Sequence, residues 1–204
     1  MYVLYHFPYS QHARRVVALL EEAQLPYELR HVAMDRAEHH GAAYMAVNPN
    51  HQVPTLMDGD FMIYESNAIL RYLCHKHDLT QWYPSHPQHR ARVDQWLDWN
   101  QCRMSPAVID VVFNSVFLGE KGDRSAIERG RTKLAELMPI LARALDSESF
   151  LCGPSPTIAD ISVASNLSQL ALAGVVPEAD STRRWYANVC ELKGFRSSLP
   201  PAID

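Results

Sequence analysis

Three short segments combine residue types that can handle a thiol, an extended backbone and a carboxylate. The first is Pro8-Tyr9-Ser10-Gln11-His12-Ala13-Arg14. It follows a short β-prone stretch and precedes apolar residues at helical spacing, so Ser10 falls where a helix begins. A helix N-terminus presents unpaired N–H groups and a partial positive charge. A serine at that point cannot exchange disulfides, but it can donate a hydrogen bond to a thiolate carried by another molecule. An ordinary N-cap accounts for Ser10 as well, when this turn is taken alone.

The second segment is Asn48-Pro49-Asn50-His51-Gln52-Val53-Pro54. An X-Pro bond just before a short strand is a candidate cis peptide. A cis Pro54 would turn the Val53 backbone outward, where its N–H and C=O can pair with an extended peptide; a plain loop proline is the alternative. The third segment is Tyr64-Glu65-Ser66-Asn67, at a strand-to-helix switch. Ser66 can cap the helix, or its hydroxyl and the neighbouring N–H groups can hold a bound carboxylate. Glu65 can then meet an ammonium group.

The elements around these segments follow from hydrophobic periodicity. Residues 2–5 read as a strand, and 11–23 as a helix with Val16, Val17, Leu19, Leu20 and Ala23 on its apolar positions. Pro26 ends that helix, residues 27–32 read as a second strand, and 37–47 as a modest helix. Residues 55–57 and 61–64 flank Asp58-Gly59-Asp60, a hairpin signal. Ser66 opens a helix towards His77. The order β-α-β-α-β-β-α, a parallel βαβ unit followed by ββα, is the thioredoxin-like arrangement. Pro84 and Pro87 punctuate a polar break, so the expected division is a first domain over 1–78, a linker over 79–86 and an all-helical domain over 87–204. In that second domain Ser85-x-x-Gln88 resembles a capping box for a long helix to about Phe117, bent at Pro106. Ser125-x-x-Glu128 caps the next helix, in which Pro139 predicts a kink or break. Thr157-x-x-Asp160 opens a third, ending near Gly174, and residues 180–192 form a fourth.

Composition excludes several partners. The net charge of −4 and the lack of a basic stripe argue against nucleic acid. The opening Met-Tyr-Val-Leu-Tyr-His has no basic n-region before an apolar stretch, so no secretory signal is expected, and no apolar run reaches membrane-spanning length. Cys74, Cys102, Cys152 and Cys190 form no C-x-x-C and read as free thiols in a reducing cytoplasm. His75-x-His77 and His86-x-x-His89 read as solvated helix-end residues, and no metal is expected.

Together the three segments resemble the glutathione transferases. P-x-S-x-x-x-R after the first strand is similar to the serine-type turn of the theta, delta and phi classes. N-P-x-H-x-V-P-T-L followed by D-G-x-x-x-x-E-S-x-A-I resembles their glutathione-binding core, and Ser155-Pro156-Thr157-Ile158-Ala159-Asp160 their helical-domain capping segment. The resemblance spans essentially the whole chain and is closest to members of a bacterial type. It implies a cytoplasmic detoxifying transferase that conjugates glutathione, as co-substrate, to hydrophobic electrophiles. Peroxidase, dehalogenase or isomerase chemistry on the same site, or plain glutathione binding, are the alternatives. By resemblance Ser10 is the activating serine. His39 and His51 approach the glycyl carboxylate, Gln52, Val53 and Pro54 pair with the cysteinyl backbone, and Glu65, Ser66 and Asn67 form the γ-glutamyl clamp. Two positions depart from the pattern: His12-Ala13 stands where many relatives have Pro-Cys, and His40 directly follows His39. The electrophile pocket is expected between the domains, walled by Tyr9, Met104, Val108, Val112, Phe113 and Phe117, with residues 195–204 as a contributing tail. A homodimer is implied too, using the helices after Ser66 and Pro87 near Arg71, Arg90 and Asp94.

Overall fold

The structure, a computed structural model, is described for residues 1–200; residues 201–204, part of the expected substrate-site tail, lie outside the described residues. The chain divides into two units, one of Met1–Leu79 joined by the segment from Leu192 onward, the other of Thr80–Glu191.

In the first unit, β1 (Tyr2–His6), β2 (Tyr27–His31), β3 (Thr55–Asp58) and β4 (Phe61–Tyr64) form one sheet in the order β2-β1-β3-β4. β1 and β2 are parallel, with Tyr2 opposite Tyr27 and His6 opposite His31. β3 runs antiparallel to β1, Tyr5 opposite Thr55, and β4 antiparallel to β3, Thr55 opposite Tyr64. The crossover helix α1 (Gln11–Glu22) buries Val16, Leu19 and Leu20 completely. α3 (Ser66–Lys76) buries Ile69, Leu70 and Leu73. This is the thioredoxin-like arrangement expected from the sequence.

The helix expected over 37–47 does not form as one piece. Ala37 is left-handed (φ 59°) and Gly41 extended (φ −71°, ψ 147°), so the segment splits into 3-10 turns at Met34–Arg36 and Glu38–His40 and a single turn α2 (Ala42–Met45). The buried Tyr44 anchors it in a cluster with Val32 and Val53.

The second unit contains α4 (Pro87–Trp99), α5 (Ser105–Val112), α6 (Arg124–Ala144), α7 (Ile158–Ala171) and α8 (Asp180–Glu191). The long helix after Pro87 continues through widened π turns at Asn100–Met104 and Phe113–Phe117. Pro106 cannot donate to the Cys102 carbonyl, and the first wide turn absorbs that missing bond. There the buried Asn100 donates to Ser162 O and Oγ, both at 3.0 Å, and accepts from Asn166 Nδ2 at 2.7 Å.

Two caps are relocated. Pro87 occupies the first helical position of α4, which makes His86 the cap and leaves Ser85 one place too early; no side-chain cap bond forms. Asp123 rather than Ser125 caps α6, its carboxylate accepting from Ser125 N at 2.8 Å. Pro139 does not break α6, which runs on to Ala144. The Thr157/Asp160 capping box forms as expected. α9 (Lys193–Ser197) was not anticipated and packs on α1; a Cβ at Gly194 would stand 2.5 Å from Ala18 O. Among the described residues no helix is long and apolar enough to cross a membrane.

Candidate active site

The sheet register brings the three sequence segments to one end of the first unit. β1 leaves the sheet at its C-terminal end into the Ser10 turn. Because Tyr5 pairs with Thr55, and Thr55 with Tyr64, β3 enters and β4 leaves at that same end. The parallel β2 also ends there, delivering the chain to the turns that carry His39 and His40.

Ser10 is half-buried and is the N-cap of α1, with extended backbone (φ −84°, ψ 113°). Its Oγ accepts from Ala13 N at 3.2 Å. Capping uses an oxygen lone pair and leaves the hydroxyl proton for another acceptor. The two readings of Ser10 are therefore compatible. The first turn of α1 holds no acidic residue to compete for its positive end.

The Val53–Pro54 bond is cis, and β3 begins only at Thr55. The loop is held from beneath. Gln52 O accepts from Tyr44 OH at 2.6 Å and from Asn48 Nδ2 at 2.9 Å, and Asn48 Nδ2 also reaches Thr55 Oγ1 at 3.2 Å. Asn48 is almost wholly buried. Sequence reasoning missed the anchoring roles of Tyr44 and Asn48.

At the third segment the cap differs from expectation. Glu65 is the N-cap of α3, in left-handed backbone (φ 67°, ψ 107°), and Ser66 is the first helical residue. The turn at Glu65 starts the helix one residue earlier than a Ser66 cap would. No side chain caps this N-terminus, and a left-handed non-glycine residue is rare enough to mark a constrained position. The Glu65 side chain is exposed, whereas Ser66 and Asn67 are buried. Asn67 Oδ1 accepts from Arg15 Nη1 at 3.2 Å.

The histidines form a chain of rings. His39 and His40 stand 4.0 Å apart and His40 and His51 5.0 Å apart by centroid, and His51 Nδ1 lies 3.2 Å from His39 O. Burial, then His40 and His51, holds the His39 imidazole below its ordinary range. His39 is half-buried and His40 exposed. Burial and the Arg15 charge push His12 down to about 3, so it is neutral near pH 7. Among the described residues no group of His, Cys, Asp and Glu is arranged to hold a metal ion.

Of the residues named for an electrophile, Met104, Val108 and Val112 are buried. Tyr9 is half-buried with its ring 5.8 Å from that of Phe7, while Phe113 and Phe117 are exposed. A cavity of about 920 Å³ in the helical unit, lined by residues such as Leu134, Met138, Leu170 and Thr182, contains none of the candidate residues.

These features define a class: a thioredoxin-like domain whose first helix begins with serine in place of a redox cysteine, followed by a helical unit. Known proteins agree. Residues 4–81 match the glutathione S-transferase N-terminal domain family and residues 124–188 the glutathione S-transferase C-terminal domain family. The chain is 33% identical to human glutathione S-transferase theta-1 over 171 residues, covering 81% of this chain and 71% of that one. It is 29% identical to Escherichia coli glutathione S-transferase GstB, covering 92% of each. A theta class glutathione S-transferase from the citrus canker pathogen Xanthomonas axonopodis pv. citri, with glutathione bound, superposes with a TM-score of 0.92 at 28% identity, covering 100% and 99%. The chain belongs to the glutathione S-transferase family.

Proposed function

We propose that this enzyme conjugates the thiolate of glutathione to hydrophobic electrophiles, with the Ser10 hydroxyl donating to the sulfur. The observation that carries the reading is the Ser10 turn: the side chain caps α1 through its oxygen and keeps its proton available. The Val53 backbone, the uncapped N-terminus of α3 at Glu65-Ser66-Asn67, and His39 and His51 lie at the same end of the sheet. In this reading Gln52, Val53 and Pro54 pair with the cysteinyl backbone of glutathione. Glu65, Ser66 and Asn67 serve its γ-glutamyl end, and the histidines its glycyl carboxylate. The part-exposed Tyr9 and the exposed Phe113 and Phe117 are the candidate contacts for the electrophile. The protein works as a cytoplasmic homodimer in detoxification. Peroxidase, dehalogenase and isomerase alternatives gain no support from the relatives, which are named as transferases.

Magnitudes limit what Ser10 does. A free thiol with a pKa near ~8.5 is only about 3% ionised at pH 7. One charge-assisted hydrogen bond contributes about 1.5–3 kcal/mol, on the order of one to two pKa units. A two-unit shift raises the thiolate population roughly 25-fold, but with a Brønsted slope of ~0.45 the weaker base loses about eight-fold in nucleophilicity. The net gain at pH 7 is a few-fold. Most of the acceleration comes from holding thiolate and electrophile together.

Ser10→Ala is expected to leave glutathione affinity nearly unchanged and to lower conjugation of an aryl halide severalfold at neutral pH. The pH–rate profile should move towards that of free glutathione. A profile identical to wild type would remove Ser10 from the chemistry.

A further inference from the structure

Arg15 is completely buried, with no exposed surface. It lies on α1 five residues beyond Ser10, about 8 Å along the helix axis. Its Nη1 donates across to Asn67 Oδ1 at 3.2 Å, in the first turn of α3, and Asn67 is itself buried. Burial holds the guanidinium down at about 9 and the Glu65 carboxylate acts against that shift, so Arg15 keeps its charge at neutral pH. A buried cation is expensive, and an apolar side chain of similar size would fill the same space at lower cost.

What the bond joins accounts for that expense. α1 begins at the turn that presents the Ser10 hydroxyl, and α3 begins at the turn that presents Glu65 and Ser66. The two helices pack together, and the Arg15–Asn67 bond ties the α3 end of that pair. We infer that Arg15 is a positioning residue for glutathione: through Asn67 it fixes the first turn of α3 for the γ-glutamyl carboxylate, and its buried charge favours the thiolate at Ser10. This inference rests on the function proposed above. The charged and titratable groups around Arg15 fit the role. Glu65 faces it from the α3 side, Arg14 is its neighbour on α1, and His12 is neutral near pH 7. Arg15 is therefore the fixed positive charge of this α1–α3 link, with Glu65 opposing it.

The tests are Arg15→Met, Arg15→Lys and Asn67→Ala in the full-length protein. Each is read out by calorimetric affinity for glutathione, by KM against kcat, and by the thiol pKa of bound glutathione from its thiolate absorbance. Arg15→Met should weaken glutathione binding about tenfold and raise the bound thiol pKa by about one unit. Arg15→Lys keeps the charge but loses the guanidinium fork, so it should raise KM while the thiol pKa stays near wild type. Asn67→Ala should do the same. If Arg15→Met fails to fold, the other two variants carry the test, because both retain the buried cation. Variants that fold with wild-type KM and wild-type thiol pKa overturn the inference. An Arg15→Met protein that folds with lower thermal stability but a wild-type thiol pKa, or Arg15→Lys and Asn67→Ala proteins that lose stability with wild-type KM, would make Arg15 merely structural and also overturn it. A wild-type protein that does not bind glutathione sinks the proposed function, and this inference with it; wild-type binding alongside unaffected variants sinks this inference alone.

Discussion

Replacing Asp160 tests how the helical unit is held together. Its carboxylate accepts four hydrogen bonds. Leu151 N and Trp185 Nε1 reach Oδ1, both at 2.8 Å. Thr157 N at 2.8 Å and Thr157 Oγ1 at 3.0 Å reach Oδ2. The group is wholly buried and joins the preceding loop, the start of α7 and the middle of α8. Asp160→Asn leaves one acceptor oxygen and turns an NH2 group towards two donors. Each lost bond to a charged acceptor contributes about 1.5–3 kcal/mol, and the donors left facing one another are buried. The expected loss is about 3–5 kcal/mol, a large part of the ~5–15 kcal/mol by which a domain of this size is stable. Trp185→Phe deletes a single donor and should cost roughly 1–2 kcal/mol. Urea unfolding followed by far-ultraviolet circular dichroism measures both. A loss below about 1 kcal/mol for Asp160→Asn would refute the idea that this carboxylate organises the unit.

Two further outcomes concern pH and packing. His12 is depressed to about 3 in the folded protein, against an ordinary value near 6.5. A depressed imidazole leaves stability complete above about pH 6.5 and removes about 1.4 kcal/mol per pH unit as the pH falls towards 3, so about 2 kcal/mol is gone at pH 5. His12→Gln should flatten that slope in urea midpoints measured from pH 7.5 to about 5; equal slopes in the two proteins would refute it. A Cβ at Gly130 in α6 would lie 2.7 Å from Ala107 O and 2.9 Å from Val111 Cγ2 of α5. Gly130→Ala should therefore destabilise by about 1–3 kcal/mol although alanine is the better helix former, and a raised melting temperature would contradict the close approach.

Much of the site was legible because it is built from local geometry. A serine between a strand and an amphipathic helix can cap that helix through contacts within one turn, and Ser10 does. Thr157 and Asp160 are three residues apart, so their reciprocal cap depends on no distant partner. The hairpin around Gly59 and the β-α-β-α-β-β-α order follow from alternation and turn residues in the same way. Local signals also failed where two of them competed. Pro87 displaced the Ser85 cap, Asp123 took the place of Ser125, and Ala37 and Gly41 divided the expected helix.

The amino-acid sequence by itself determined the class of chemistry: a helix-starting serine, an X-Pro turn before a strand, and a Glu-Ser pair opening a helix. Only the tertiary structure decided what supports those groups. Asn67 stands beside the Glu-Ser pair in the sequence, and the fold adds a bond to its oxygen from Arg15, 52 residues away. Asp160 looked like a helix cap, but it also holds Trp185, 25 residues on. Arg15 itself lies within an amphipathic helix and gives no local sign that it is buried. Whether a charged side chain faces water or a partner depends on which elements fold over it, and that is set by packing between residues far apart in the chain.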